Sequence, residues 1–348
     1  MKHWLFTMSA LAWILTAQAQ DIEVTVSTPD PAVTLAGTLV IPDGVSTAPV
    51  AILLTGSGDH VRDGIISGTP MFKEMSDYLK RHGIASLRLD DRGTGQSTGP
   101  STRASTTADR VTDMVAVIDF LQEQQHFQLS QLGLIGFSEG AMIAPQVANA
   151  RTEAVDWMIL LGTPALPGEV VWVDQQVANF ARQFGEHSPR LPMVRELLQQ
   201  IVALSVAGGS MEHMEKLVIE LFELGDIAEA QAREQGMIEG FSRTVLDPWM
   251  SFFFSYDPRP ALTQVQQPVL AVYGSLDTLT SARVNAPELM QALLLAPTQD
   301  FTVQIMPDQD HFFLRSDELA PGEHAFGKMH LAPQLTERMQ QWLQPRLP

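Results

Sequence analysis

The amino-acid sequence predicts an α/β fold with a mostly parallel central sheet, helices on both faces of that sheet, and an inserted helical cap. Extended and helical patterns alternate from residue 35 to residue 161, the alternation then stops, and it resumes near residue 269. The segment between the two alternating stretches is helical in character. We therefore predict a core made of residues 20–167 and 258–348, with residues 168–257 inserted as the cap.

The first half of the core combines short apolar runs with amphipathic segments. An apolar stripe with i, i+3, i+4, i+7 spacing predicts a helix that Thr106 or Thr107 is suited to cap. The stripe consists of Val111, Met114, Val115 and Ile118. Extended segments are predicted at 35–41, 50–54, 84–89, 132–137 and 157–161, and another helix at 71–81.

Helical patterns at 194–206 and 213–224 dominate the cap, and glycines at 208, 209 and 225 interrupt them. Beyond the cap, extended segments are predicted at 269–273 and 301–306, and an amphipathic helix at 335–343. Ligands of parallel α/β sheets bind outside the carboxyl ends of the strands. Residues that directly follow a strand are therefore the first candidates for chemistry.

The first 19 residues have the pattern of a signal peptide. Lys2 precedes an apolar run from residue 4 to residue 15, and Ala17-Gln18-Ala19 is a small-x-small cleavage site. A membrane anchor is the alternative, but the run is shorter than the ~20 residues that span a bilayer. We expect cleavage after Ala19 and a periplasmic or secreted protein that has no membrane association after cleavage.

Composition excludes several classes of partner and site. The formal net charge is −18, from 40 acidic and 22 basic residues, so binding to nucleic acid or to an anionic membrane surface is not expected. The chain has no cysteine, which removes disulfides and thiolate metal sites. No HExxH or similar ligand spacing occurs, and the turn at 90–97 lacks the lysine of a phosphate loop. We predict no metal and no cofactor, and a bracing role for that turn.

Gly136-Phe137-Ser138-Glu139-Gly140 follows an extended segment and begins a helical one, as in a nucleophile elbow with a GxSxG sequence. Such a turn holds the serine in a strained conformation, and glycines two positions either side avoid collisions. By itself the motif is weak evidence, since it also occurs by chance. In its predicted context, it makes Ser138 the candidate nucleophile.

A serine hydroxyl needs a base that removes its proton and an acid that orients the base. Asp277 directly follows the extended segment 269–273, and His311 follows the segment 301–306. The chain order Ser, Asp, His is the one used on sheets of this type. Each residue alone is also compatible with a turn or a packed core position, but together they predict a triad of Ser138, Asp277 and His311.

A tetrahedral intermediate needs two backbone N–H donors for its oxyanion. Glu139, directly after the candidate nucleophile, supplies the first, and the loop after the segment 50–54 supplies the second. We predict the N–H of Ser57 as that donor, with Gly58 as the runner-up. Gly56 and Gly58 would let the backbone approach the substrate, although a simple glycine-rich turn has the same sequence.

These motifs resemble the α/β-hydrolase superfamily, in its esterase and serine-aminopeptidase-like branch. The matching stretches are 53–58 with Arg62-Asp63, 90–93, 134–140, 274–277 and 310–312. The resemblance implies the α/β-hydrolase fold, the triad named above, and a cap that acts as a lid. Phe137 stands where the family often has His, and Asp310 where it often has Asn.

The leading functional hypothesis is a carboxylesterase that acts on small-molecule esters with small to medium acyl chains. Trp249 and Phe253 of the cap are candidates for the acyl pocket, although they also suit a cap core. A peptidase or amidase with the same triad is the alternative, and it would need cap carboxylates for an N-terminal amine. Glu212, Glu215 and Glu220 are candidates for that role. A non-catalytic binding protein on a hydrolase fold is the third hypothesis.

Overall fold

The computed structural model describes residues 20–316, 318–320, 323 and 325–348. The predicted signal peptide, residues 1–19, lies outside these residues. Within them, no helix combines the length and apolar character needed to cross a bilayer.

An eight-stranded sheet forms the centre of the molecule. Its strands are β1 (Gln20–Ser27), β2 (Thr34–Ile41), β3 (Thr47–Leu54), β6 (Ala85–Leu89), β7 (Gln128–Phe137), β8 (Trp157–Leu161), β9 (Val269–Gly274) and β10 (Phe301–Met306). They lie in the order β1-β2-β6-β3-β7-β8-β9-β10. The pairs β1/β2 and β2/β6 are antiparallel, and all other neighbours in the sheet are parallel. Two small antiparallel pairs lie outside this sheet: β4 (Ile65–Ile66) with β5 (Thr69–Pro70), and β11 (Leu314–Arg315) with β12 (His330–Leu331).

Helices cover both faces of the sheet, so the central strands are buried on both sides. One face packs against α2 (Thr107–Glu123), α3 (Glu139–Ala150) and α11 (Ala282–Leu295). The other packs against α1 (Met71–Arg81) and α12 (Pro333–Leu343). The prediction of a mostly parallel sheet with helices on both faces is confirmed.

The cap segment between β8 and β9 has its own apolar core, which also includes Met142 of α3. No strand occurs between residues 168 and 256, all of which are described. Its helices are α4 (Gly168–Phe184), α5 (Leu191–Val206), α6 (Met211–Leu224), α7 (Glu229–Glu234), α8 (Met237–Val245) and α9 (Pro248–Ser255), and the short α10 (Arg259–Leu262) leads back to the sheet. An ion pair of 3.2 Å joins Asp247, which caps α9, to Arg103 in a short 3₁₀ helix of the core.

Helix α2 begins as the sequence predicts, but its buried face differs. Thr106 caps the helix: its hydroxyl accepts the N–H of Asp109, whose carboxylate accepts the N–H of Thr106. Of the predicted apolar stripe, only Ile118 is fully buried, and the other three residues are half-buried. The buried positions in the first half of the helix are polar, and they are Thr107, Arg110 and Asp113.

Candidate active site

Ser138 occupies a sharp turn between β7 and α3, with φ 54° and ψ −116°. A positive φ in a residue other than glycine is strained, and such strain concentrates at functional sites. A Cβ added to Gly136 would lie 2.3 Å from the carbonyl oxygen of Gly140, and one added to Gly140 would lie 2.2 Å from that of Leu54. The two glycines of the motif are therefore required by close backbone contacts.

The structure brings the three predicted triad residues together in a chain of hydrogen bonds. Nε2 of His311 lies 3.0 Å from Oγ of Ser138, and Nδ1 lies 2.8 Å from Oδ2 of Asp277. A carboxylate only accepts hydrogen bonds, so Nδ1 carries the proton and Nε2 is free to accept the serine proton. The side chains of His311 and Asp277 are 6% and 0% exposed. The arrangement has the geometry of a nucleophile, a base and an orienting acid.

Asp277 is held as an anion by its surroundings. Oδ1 accepts the N–H groups of Leu279 and Thr280 at 2.8 and 2.7 Å, and Oδ2 lies 2.8 Å from the Thr280 hydroxyl. Burial opposes ionisation, but the hydrogen bonds from His311 and Thr280 outweigh it and lower the pKa of Asp277 below its usual value. The carboxylate therefore remains charged beside the imidazole at neutral pH.

The two predicted oxyanion donors flank the nucleophile. Glu139 begins α3, and Ser57 lies in the loop after β3. Among the described residues, neither backbone N–H has a hydrogen-bond partner. A Cβ on Gly56 would lie 3.2 Å from the ring of Phe137 and 3.3 Å from Cβ of Ser138, so the loop approaches the elbow closely. Ser57 and Glu139 also line the cavity that contains Ser138.

A cavity of about 400 Å³ opens above Ser138, between the core and the cap. Four of the residues predicted to contact the substrate line this cavity: Gly56, Ser57, Trp249 and Phe253. Gly58, which was also predicted, is not among the lining residues. The Trp249 and Phe253 rings stack with centroids 5.6 Å apart. Further apolar lining residues are Phe137, Val171, Trp172, Met250 and Phe312.

Glu139 is the only acidic residue among the described residues that line this cavity, and its side chain is fully buried. Its carboxylate accepts hydrogen bonds from Thr107 at 2.7 Å, Arg110 at 2.9 Å and the Trp249 indole at 2.9 Å. The cap carboxylates Glu212, Glu215 and Glu220 are not lining residues. Apolar side chains form most of the wall, and its polar members outside the candidate triad include His60, Gln175 and Gln176.

Sequence reasoning did not identify Thr280 or Arg110. Thr280 bridges the acid and the base: its hydroxyl lies 2.8 Å from Asp277 and 3.1 Å from Nδ1 of His311. Its position three residues after the predicted acid is a usable signal, because Asp side chains often bond to nearby backbone N–H groups. Arg110 is a buried cation in an otherwise amphipathic helix, and its partners are distant in sequence.

The turn at 90–97 braces the loops near the site, as its charge pattern predicts. Asp91 accepts the backbone N–H of His60 at 3.0 Å, and Asp90 accepts that of Arg62 at 2.7 Å. Arg92 forms two bonds of 2.8 Å to Asp113. Asp90 and Asp91 thus satisfy two half-buried backbone donors of the loop after β3, whereas Arg92 ties the turn to α2.

Solved structures with the same fold include several hydrolases. An esterase from Pyrococcus furiosus has a TM-score of 0.58 at 16% identity, covering 94% of this chain and 91% of that one. Est1E from Butyrivibrio proteoclasticus, with ferulic acid bound, has a TM-score of 0.54 at 12% identity, over 92% and 98%. A putative dipeptidyl aminopeptidase IV from Bacteroides ovatus has a TM-score of 0.56 at 13% identity, over 96% of this chain but 36% of that one. At these identities the likeness concerns the fold.

Comparison with curated protein sequences gives no significant match. The sequence model of the family described as serine aminopeptidase, S33 matches residues 60–233, which is half of the 348 residues. The resemblance drawn from the sequence motifs is thereby confirmed. This chain belongs to that family of α/β hydrolases.

Proposed function

We propose that the protein is a carboxylesterase that cleaves small-molecule esters with small to medium acyl chains through an acyl-enzyme on Ser138. The observation that carries this proposal is the hydrogen-bonded chain from Ser138 to His311 to Asp277 at the floor of a mostly apolar cavity. A nucleophile and base at this distance suit acyl transfer, and an apolar wall suits an uncharged acyl group.

In the acylation step, Oγ of Ser138 attacks the ester carbonyl carbon while Nε2 of His311 takes the hydroxyl proton. The new C–O bond leaves the carbonyl oxygen negatively charged, between the N–H groups of Ser57 and Glu139. Asp277 stabilises the imidazolium that forms. Collapse of the intermediate breaks the bond to the leaving oxygen, and His311 returns the proton to that alcohol.

Deacylation repeats the same steps with water as the nucleophile. His311 takes a proton from water, the hydroxide attacks the acyl carbon, and the second oxyanion occupies the same two donors. When the intermediate collapses, the proton returns to Oγ of Ser138 and the carboxylic acid is released. The products are one alcohol and one acid, and the serine is regenerated.

The cavity wall supports an ester over an N-terminal peptide substrate. Recognition of a substrate ammonium group calls for an unpaired carboxylate at the wall. Glu139 is the only acidic lining residue among those described, and its carboxylate already binds Thr107, Arg110 and Trp249. The family description names an aminopeptidase, so cleavage of aminoacyl anilides is the competing outcome of the test below.

The test is a panel of nitrophenyl esters of increasing acyl length, assayed beside aminoacyl nitroanilides. We expect turnover of the esters, little reaction with the anilides, and at least a ~10³-fold loss of ester turnover in Ser138→Ala. Ser255→Ala is the matched control, because Ser255 is exposed on α9 and its hydroxyl, among the residues the structure describes, bonds only to a carbonyl of its own helix.

Labelling with a fluorophosphonate probe separates the remaining hypotheses. Wild type and Ser255→Ala should be labelled, and Ser138→Ala should not. Ester turnover that survives Ser138→Ala refutes the mechanism, and preferential cleavage of anilides assigns the same triad to a peptidase. An unlabelled and inactive wild-type protein would support a non-catalytic binding role.

A further inference from the structure

Arg110 is a buried cation that touches both segments flanking the candidate nucleophile. It lies in the first half of α2 and is 6% exposed. Its Nη1 donates to the carbonyl oxygen of Gly56 at 3.0 Å and to the carboxylate of Glu139 at 2.9 Å. Its Nη2 donates to the carbonyl oxygen of Thr55 at 3.1 Å and to the Thr55 hydroxyl at 2.6 Å. One guanidinium thus joins the loop after β3 to the nucleophile elbow.

The bond to Gly56 bears directly on the oxyanion donor. The carbonyl of Gly56 and the N–H of Ser57 belong to the same peptide unit, which is planar and trans, so the two groups point in opposite directions. Holding the carbonyl towards Arg110 therefore holds the N–H away from it. Gly56 lacks a side chain and its backbone rotates readily, so the peptide plane needs an external restraint.

The bond to Glu139 acts on the other donor. The backbone N–H of Glu139 is the first predicted oxyanion donor, and its side chain is anchored by Arg110, Thr107 and Trp249. Since Nη1 of Arg110 contacts both Gly56 and Glu139, a single nitrogen atom links the two halves of the oxyanion hole.

A guanidinium suits this position better than an ammonium group. It is planar and has five N–H donors in a rigid fork, and Arg110 uses both terminal nitrogens on acceptors of different segments. The charge is balanced by Glu139 and by Asp91, whose carboxylate lies 3.4 Å from Nη2. A lysine at this site would keep the charge but could not hold all of these acceptors.

We propose that Arg110 is a positioning residue that fixes the spacing and direction of the two oxyanion donors. This inference rests on the proposed function, because it assigns a role within acyl transfer. It predicts that loss of the guanidinium weakens stabilisation of the tetrahedral intermediate and leaves substrate binding nearly unchanged.

The test compares Arg110→Lys with Arg92→Lys. Arg92 is equally buried and is paired with Asp113 of α2, the helix that carries Arg110. Within the part of the chain that the structure describes, its side-chain hydrogen bonds go to Asp113, Ser105 and Asp109, and none reaches the loop after β3 or the elbow. For Arg110→Lys we expect kcat to fall by about 10²-fold, close to the effect of removing one oxyanion donor, while KM stays within threefold of wild type. For Arg92→Lys we expect kcat within threefold of wild type, although its melting temperature falls.

Affinity for a trifluoromethyl ketone provides a readout that general destabilisation does not mimic. Oγ of Ser138 adds to the ketone carbon and its proton passes to His311. The ketone oxygen becomes an oxyanion that accepts hydrogen bonds from the same two N–H groups as the tetrahedral intermediate. The inhibition constant should rise in Arg110→Lys by the factor lost in kcat/KM, and stay near wild type in Arg92→Lys.

Glu139→Gln is the second variant, in case Arg110→Lys does not fold. It is isosteric and removes the charge that Arg110 pairs with, so kcat/KM and inhibitor affinity should fall together by at least about tenfold. Unchanged inhibitor affinity in the folded variants, or equal losses in Arg110→Lys and Arg92→Lys, overturns the inference. A wild type that hydrolyses no ester overturns the proposed function itself.

Discussion

Replacing Gly140 with alanine should push the nucleophile elbow away from the loop after β3, and with it separate the two proposed oxyanion donors. The added Cβ would lie 2.2 Å from the carbonyl oxygen of Leu54 and 2.6 Å from that of Thr55. Both are backbone atoms of the segment that leads to Ser57, so no flexible side chain can absorb the contact.

The size of the displacement follows from these distances. Ordinary contact begins at 3.4 Å, so relief of the closest contact requires a shift of about 1.2 Å. A misplacement of about 1 Å in a catalytic group costs on the order of 10²-fold in rate. Overpacking of this kind also destabilises the fold by about 1–3 kcal/mol. We therefore expect kcat/KM to fall by about 10²-fold in Gly140→Ala, with a measurable loss of stability.

Gly240→Ala is the matched control. Gly240 lies in α8 of the cap and has no positive φ, and among the described residues an added Cβ would meet no heavy atom within 4 Å beyond its neighbours and the adjacent backbone of its own helix. Alanine there should leave ester turnover unchanged and stabilise the helix by up to about 1 kcal/mol. The assays are steady-state kinetics on a nitrophenyl ester and urea unfolding. If Gly140→Ala keeps kcat/KM within threefold of wild type while folded, the steric argument for this glycine is wrong.

Three further variants test the acid, the threonine beside it and the cap. Asp277→Asn should lower kcat by up to ~10⁴-fold, because an amide donor at Nδ1 disfavours the required tautomer. Because the pKa of Asp277 is lower in the native state than the value of about 3.9 in the unfolded chain, its ionisation stabilises the native state at pH values above about 3.9. Urea unfolding curves should therefore show wild type losing this advantage over Asp277→Asn as the pH falls below that value. Thr280→Val, which removes the hydroxyl beside Oδ2, should lower kcat about tenfold with KM within twofold in steady-state kinetics. Trp249→Phe, which removes the indole bond to Glu139, should cost about 1.5–3 kcal/mol in urea unfolding, and an unchanged unfolding midpoint would show that this bond contributes nothing.

Much of the fold follows from local pattern. The predicted segments 71–81, 157–161 and 301–306 coincide with α1, β8 and β10, because each has a clear local signal: helical spacing of apolar residues in α1, an uninterrupted apolar run in β8 and alternation in β10. Strand β1 was not predicted, although Ile22, Val24 and Val26 alternate with polar residues. It is a half-buried edge strand next to the predicted signal peptide, so its apolar signal is weak.

Some residues of the candidate site could likewise be predicted from the sequence, and others could not. Ser138, Asp277 and His311 could be named from the sequence because each lies no more than five residues past the end of a strand, and the carboxyl ends of parallel strands meet at one edge. Gly58 could not be distinguished from Gly56, since both belong to one glycine-rich loop and only the folded loop places Gly56 at the cavity.

The sequence by itself determined the class of fold, the family resemblance and the order of the three candidate triad residues, because these depend on motifs and periodicity within short segments. Only the tertiary structure decided which polar groups share a buried space. Arg110 meets Thr55, Gly56 and Glu139 across 29 to 55 residues of chain. Such a cluster leaves no periodic signal, because burial of a charge depends on partners that folding brings from elsewhere.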